Sequence, residues 1–133
     1  MRARIGVIGT GWWSTVAHLP ALLYNPNAEL VAIADLRPQI LRNAAEHYGI
    51  DTTYTDYNEM LDRHEIDGVV VSVWNSAHYE IARAIIERGL HLLIEKPMAL
   101  KAAHARDLID IAKRNNCQII MSYPWQFTEM SRR

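Results

Sequence analysis

Residues 4–14 read Arg4-Ile5-Gly6-Val7-Ile8-Gly9-Thr10-Gly11-Trp12-Trp13-Ser14. A short apolar run closes on two nearby glycines, and helix-period sequence then runs from about Ser14 to Tyr24. That succession predicts strand, tight turn and helix. Gly9 suits the tight turn, and Gly11 lets the backbone approach a pyrophosphate resting on the helix N-terminus and its positive dipole end. The third position of this glycine fingerprint is usually glycine or alanine. Here it is Ser14, which departs from the pattern but is small enough to keep helix and strand close. A turn that holds no ligand is the other reading of the same residues.

The fingerprint has a second half. Leu30–Ala34 is the next apolar run, and Asp35 closes it about twenty residues beyond Ser14. A carboxylate at that spacing accepts hydrogen bonds from the adenosine ribose hydroxyls. It would repel a 2′-phosphate, so NAD is favoured over NADP. Arg37 could offset that repulsion, since a guanidinium binds phosphate well. Asp35 could also cap the helix that begins near Pro38. The glycine loop and Asp35 alone fit a methyltransferase as well, because its acidic residue binds a ribose in the same way.

Further along, Asn25-Pro26-Asn27 marks a turn, and Leu41, Ala44, Ala45 and Tyr48 recur with the spacing of one helix face. Gly49 suits a left-handed helix end. Thr52–Thr55 reads as a short strand, and Asp56 with Glu59 as a capping box. Val69–Val73 has the composition of a strand buried on both faces. A helix over Tyr79–Arg88, a strand at His91–Ile94, a helix carrying Ala105, Leu108, Ile109 and Ala112, and a strand at Ile119–Met121 complete the series. Strands alternating with helices over short links predict an α/β fold of Rossmann type. This is a doubly wound, mainly parallel sheet of about six strands with helices on both faces.

Bulk properties agree with one such domain. The chain has 133 residues, half of them hydrophobic and 22% charged, which suffices for an independent core. A net charge of -1 gives no reason to expect nucleic acid or an anionic membrane as partner. Cys117 is the only cysteine, which excludes an internal disulfide and favours a cytoplasmic setting. The histidines are scattered, so no metal site is expected. The N-terminal apolar run is too short for a signal peptide, and no stretch is long enough for a membrane span.

Later motifs separate the remaining options. Val73-Trp74-Asn75-Ser76-Ala77-His78 follows the fourth strand and Glu95-Lys96-Pro97 the fifth. With Gly9-Thr10-Gly11, Ala17-His18-Leu19-Pro20 and Asp56-Tyr57, they resemble the glucose-fructose oxidoreductase / inositol dehydrogenase / MocA family over essentially the whole chain. Glu-Lys-Pro is the most specific sign and argues against a methyltransferase.

The resemblance implies roles for matching residues. Gly9, Gly11 and the amides of Trp12 and Trp13 would hold the pyrophosphate, with Asp35 on the adenosine ribose and Arg37 nearby. Asn75 and His78 match an asparagine and a histidine near the cofactor, on the loop that carries Trp74. Trp74 stands where the family usually has proline. Glu95 would approach the nicotinamide ribose. Lys96 would bind a substrate hydroxyl or assist proton transfer, aimed by Pro97 through a Lys-Pro bond that is often cis in the family. Asn75 and His78 could instead serve only to open a helix, and Glu95 with Lys96 could be a surface ion pair.

The implied activity is NAD-dependent oxidation of a sugar, cyclitol or related polyol; a non-catalytic, redox-sensing NAD module is the alternative. The family continues into a second α/β domain that supplies most of the substrate pocket and often the oligomer interface. Residues 1–122 are therefore expected to form the nucleotide domain, and 123–133 the start of a segment crossing to that second domain. Gln126 stands where many members have arginine. Ser131-Arg132-Arg133 looks like the opening of a further helix. Trp125 and Phe127, uncovered, would favour self-association into a homo-oligomer.

Overall fold

A computed structural model of the protein describes residues 1–127. The readings placed on the side chains of Gln126 and Phe127, and on Ser131-Arg132-Arg133, lie outside what it describes.

Six strands are linked mostly by helices: β1 (Ala3–Ile8), α1 (Leu19–Tyr24), β2 (Ala28–Ala34), α2 (Pro38–Tyr48), β3 (Thr53–Tyr54), α3 (Tyr57–Arg63), β4 (Gly68–Val71), α4 (His78–Glu87), β5 (His91–Glu95), α5 (Ala102–Arg114) and β6 (Ile119–Ser122). All pairings are parallel, and the strands lie in the order β3-β2-β1-β4-β5-β6. The order reverses direction between β1 and β4, so the loops leaving these strands diverge and open a crevice at their carboxyl ends.

The core has two layers because neighbouring residues of a strand point to opposite faces. Val7, Ile33 and Val70 lie on one face with Leu19 of α1 and Leu41 and Ala44 of α2. Ile8, Ala34, Val69 and Val71 lie on the other, beneath Met60 of α3, Ile81 and Ile85 of α4 and Leu108 of α5. A fully buried Ile or Leu contributes about 1.5–3 kcal/mol by leaving water, so both layers are substantial. The expected strand at Val69–Val73 is buried throughout its β4 portion but ends at Val71.

Local sequence explains most element ends. Gly49 adopts φ 64° as the left-handed cap of α2. Asp56 caps α3 by accepting from the Asn58 amide, whereas Glu59 pairs weakly with Arg63 at 3.9 Å, so the expected capping box is half formed. In α5 Ile111 is buried and Ile109 is 40% exposed, a rotation of the face inferred from the spacing.

The first helix departs most from expectation. Ser14–His18 forms a wide π turn in which the Leu19 amide donates to the Ser14 carbonyl, and α1 proper starts only at Leu19. Pro20 has no N–H to give the Val16 carbonyl, and its ring disfavours the tighter spacing there. The Tyr48 hydroxyl donates to the Thr15 carbonyl and ties the turn to the end of α2.

Candidate functional site

The two glycines of the loop after β1 differ in what they are for. Gly9 has φ 93°, and a Cβ built on it would lie 2.1 Å from the Ser72 carbonyl oxygen. The fold itself therefore demands glycine where the β1 and β4 loops touch. A Cβ on Gly11 would meet only the Arg37 guanidinium, at an ordinary 3.5 Å. The fold leaves room for a methyl there, so the bare backbone at Gly11 is surplus to packing and available to a ligand. Gly11 lines a cavity of about 740 Å³ with Gly9, Trp12, Asp35, Arg37 and Trp74, a size typical of small-molecule and cofactor sites. These residues fit the pyrophosphate and adenosine half of a dinucleotide.

Ser14 is fully buried, and its hydroxyl is the one buried side-chain polar atom without a partner among the described residues. It fills the third glycine position with tolerable bulk but an unsatisfied oxygen.

Asp35 stands at the end of β2, only 7% exposed. Its carboxylate accepts from the Thr10 amide at 2.9 Å and the Thr10 hydroxyl at 3.3 Å. It also accepts from the Arg37 amide and, side-on, from two guanidinium nitrogens, all at 2.9 Å. Burial pushes the carboxyl pKa up, but the hydrogen bonds from Arg37 and Thr10 outweigh it and hold the group below its ordinary value. The carboxylate is thus already well supplied with donors. The half-exposed guanidinium of Arg37 covers it on the cavity side.

A second cavity of about 460 Å³ shares the Trp12–Trp13 wall and extends past Asn75, Glu95 and Lys96 to Trp125. The two indoles are tilted 47° with centroids 5.8 Å apart. Trp74 and Asn75 are exposed on the loop after β4, Asn75 within a short 3₁₀ turn, Asn75–Ala77, where it makes no side-chain cap. Lys96 is exposed at the end of β5, with no hydrogen bond or ion pair among the described residues. The Lys96-Pro97 peptide bond is cis, as the resemblance implied.

Two expected cofactor contacts are engaged within the fold, His78 away from both cavities and Glu95 on the wall of the second. His78 is fully buried; its Nδ1 lies 2.6 Å from the Pro97 carbonyl oxygen and its Nε2 3.2 Å from that of Val73. With both nitrogens on backbone carbonyls it braces the β4 and β5 loops and has no free edge for a ligand. Glu95 accepts at one oxygen from the Trp13 indole N–H at 2.7 Å and from His18 Nε2 at 2.8 Å. Burial raises the Glu95 pKa, but bonds from Ser122, His18 and Trp13 hold it below the usual value. Sequence reading missed His18 as a site residue; its place in the Ala17-His18-Leu19-Pro20 run was the available signal.

Residues 3–123 match the family described as "Oxidoreductase family, NAD-binding Rossmann fold". The chain is 33% identical over 113 residues to an inositol 2-dehydrogenase/D-chiro-inositol 3-dehydrogenase from Lactiplantibacillus plantarum, covering 84% of this chain and 32% of that protein. It superposes on the WlbA dehydrogenase from Bordetella pertussis, crystallised with NADH and UDP-GlcNAcA, with a TM-score of 0.92 at 22% identity, covering 99% of this chain and 40% of that one. A 3-ketoreductase from Actinomadura kijaniata, crystallised as a variant with TDP-benzene and NADP, gives 0.91 at 26% identity, over 99% and 42% of the two chains. The chain thus spans a third to two-fifths of the length of these proteins. It belongs to the glucose-fructose oxidoreductase / inositol dehydrogenase / MocA family, whose NAD-binding Rossmann fold it forms.

Proposed function

We propose that this chain is the cofactor-binding part of an NAD-dependent dehydrogenase that oxidises a secondary alcohol of a sugar, cyclitol or related polyol, with Lys96 as its acid–base residue. The observation that carries the reading is the placement of Lys96. It is exposed at the end of β5, without a hydrogen bond or ion pair among the described residues, on a cavity that shares a wall with the dinucleotide cleft. Bound NAD supplies the hydride acceptor. Gly9 sets the turn, Gly11 gives the pyrophosphate backbone room, and Asp35 with Arg37 receives the adenosine ribose. As the hydride leaves the substrate carbon for the acceptor, the neutral amine form of Lys96 takes the hydroxyl proton at Nζ and becomes the ammonium, and Asn75 offers a polar contact on the same cavity. The lengths of the relatives support a further domain beyond residue 122 that closes the pocket; alignment of donor and acceptor depends on both walls.

The test is NADH production from a panel of cyclitols and sugars by the polypeptide carrying the second domain and by residues 1–133 alone. The longer form should turn over and the shorter should not, and Lys96→Ala in the longer form should lower kcat about 10²–10⁴-fold with little change in NAD affinity. Equal turnover by residues 1–133, or an unchanged rate for Lys96→Ala, would overturn the proposal.

A further inference from the structure

The residue that precedes Lys96 is held from three directions. Glu95 receives the indole N–H of Trp13 at 2.7 Å, from the dinucleotide loop. It receives His18 Nε2 at 2.8 Å, from the π turn that follows the loop. On the third side stands Ser122 of β6, its register partner across the sheet. The glutamate and histidine side chains are only 11% and 13% exposed, so these bonds are largely shielded from water. On the other side of Lys96, the Pro97 carbonyl takes a 2.6 Å hydrogen bond from buried His78. Lys96 is therefore a side chain without a partner among the described residues, on a backbone fixed at both neighbours.

The geometry points to Glu95 as a positioning residue that couples the dinucleotide loop to Lys96. Trp13 reads the state of the loop, Glu95 accepts its N–H, and the lysine is the next residue along the strand end. This rests on the reading of Lys96 as the acid–base group, but the linkage itself can be measured without substrate. Trp13 lines both cavities, so it stands where a bound dinucleotide and the lysine's surroundings meet. His18 lines neither cavity, and among the described residues its side chain bonds Glu95 alone. A change made at His18 reaches Lys96 through Glu95.

The chain contains three lysines, Lys96, Lys101 and Lys113, which makes the experiment self-referenced. The rate of acetylation of each by a water-soluble amine reagent is read by peptide mass spectrometry. Trp13→Phe keeps the ring and removes the N–H; His18→Leu removes the second donor. Each should change Lys96 labelling about fivefold relative to Lys101 and Lys113, the scale set by losing one hydrogen bond. In a Glu95→Leu background neither should add to the effect of Glu95→Leu itself. An unchanged Lys96 rate in His18→Leu would overturn the inference, and that variant alone decides it if Glu95→Leu fails to fold. Effects that persist undiminished in Glu95→Leu would equally overturn it, since Trp13 would then act on the lysine directly. Calorimetric NAD binding on the same samples keeps the two readings apart. Failure to bind NAD with the linkage intact counts against the proposed function only, and binding without linkage against the inference only.

Discussion

On the proposed function, Asp35 and Arg37 are the pair of side chains that sets cofactor choice. The carboxylate favours a ribose diol, and a bare carboxylate would repel a 2′-phosphate. Here two nitrogens of the Arg37 guanidinium lie on it at 2.9 Å and remain half exposed to the cavity. On the proposed reading Arg37 softens the repulsion and offers a phosphate receptor, so the preference for NAD over NADP is expected to be graded. Removing the guanidinium exposes the carboxylate and deletes the receptor. Arg37→Ala should leave NAD binding intact and weaken NADP about tenfold relative to NAD in calorimetric titration. Undiminished NADP binding would show that Arg37 does not face the 2′ position. The same carboxylate marks the acid limit of stability. Its pKa is depressed in the folded state, so its contribution is present above the unfolded carboxylate range of about 4 and is lost as the pH falls through the folded value. Glu95 adds to the same limb. Thermal melts between pH 7 and 3 should fall less steeply in Asp35→Asn than in the parent chain.

At the scale of elements, the stretch from β1 through the glycine loop to α1 carries most of the design. The loop turns where Gly9 presses on Ser72, so the β1 and β4 loops meet through backbone alone. Gly9→Ala should cost about 3 kcal/mol or more, since the new methyl overlaps a carbonyl and the residue needs positive φ. Chemical denaturation would measure it, and a loss within 0.5 kcal/mol would mean the loops separate easily. The strands were readable because each is a short apolar run between turn residues, and α2 and α4 because their apolar spacing matches one helix face. The π turn at Ser14–His18 was not readable, because apolar spacing reports a face and says little about which carbonyl each amide selects. The end of β4 at Val71 also escaped, since Val73 is as apolar as the strand but packs from the loop.

At the scale of the molecule, the order β3-β2-β1-β4-β5-β6 follows from alternating strands and helices with right-handed crossovers, and it puts the crevice between the β1 and β4 loops. That placement let the sequence locate Gly11, Asp35, Trp74, Asn75 and Lys96 around two adjoining cavities. The bracing bonds of His78 and Glu95 stayed hidden because their partners are distant in sequence. Pro97 is 19 residues from His78, and His18 is 77 from Glu95. Spacing alone reports no such pairing.

The central claim is that the bare backbone at Gly11 exists for a dinucleotide pyrophosphate. Calorimetric titration of NAD into the parent chain and into Gly11→Val, with thermal melts of both, tests it most directly. The fold meets a Cβ at Gly11 with nothing closer than the Arg37 guanidinium at 3.5 Å, so the variant should melt within a few degrees of the parent. Its branched side chain should block the pyrophosphate and abolish NAD binding. A folded Gly11→Val that binds NAD as tightly as the parent would contradict the account.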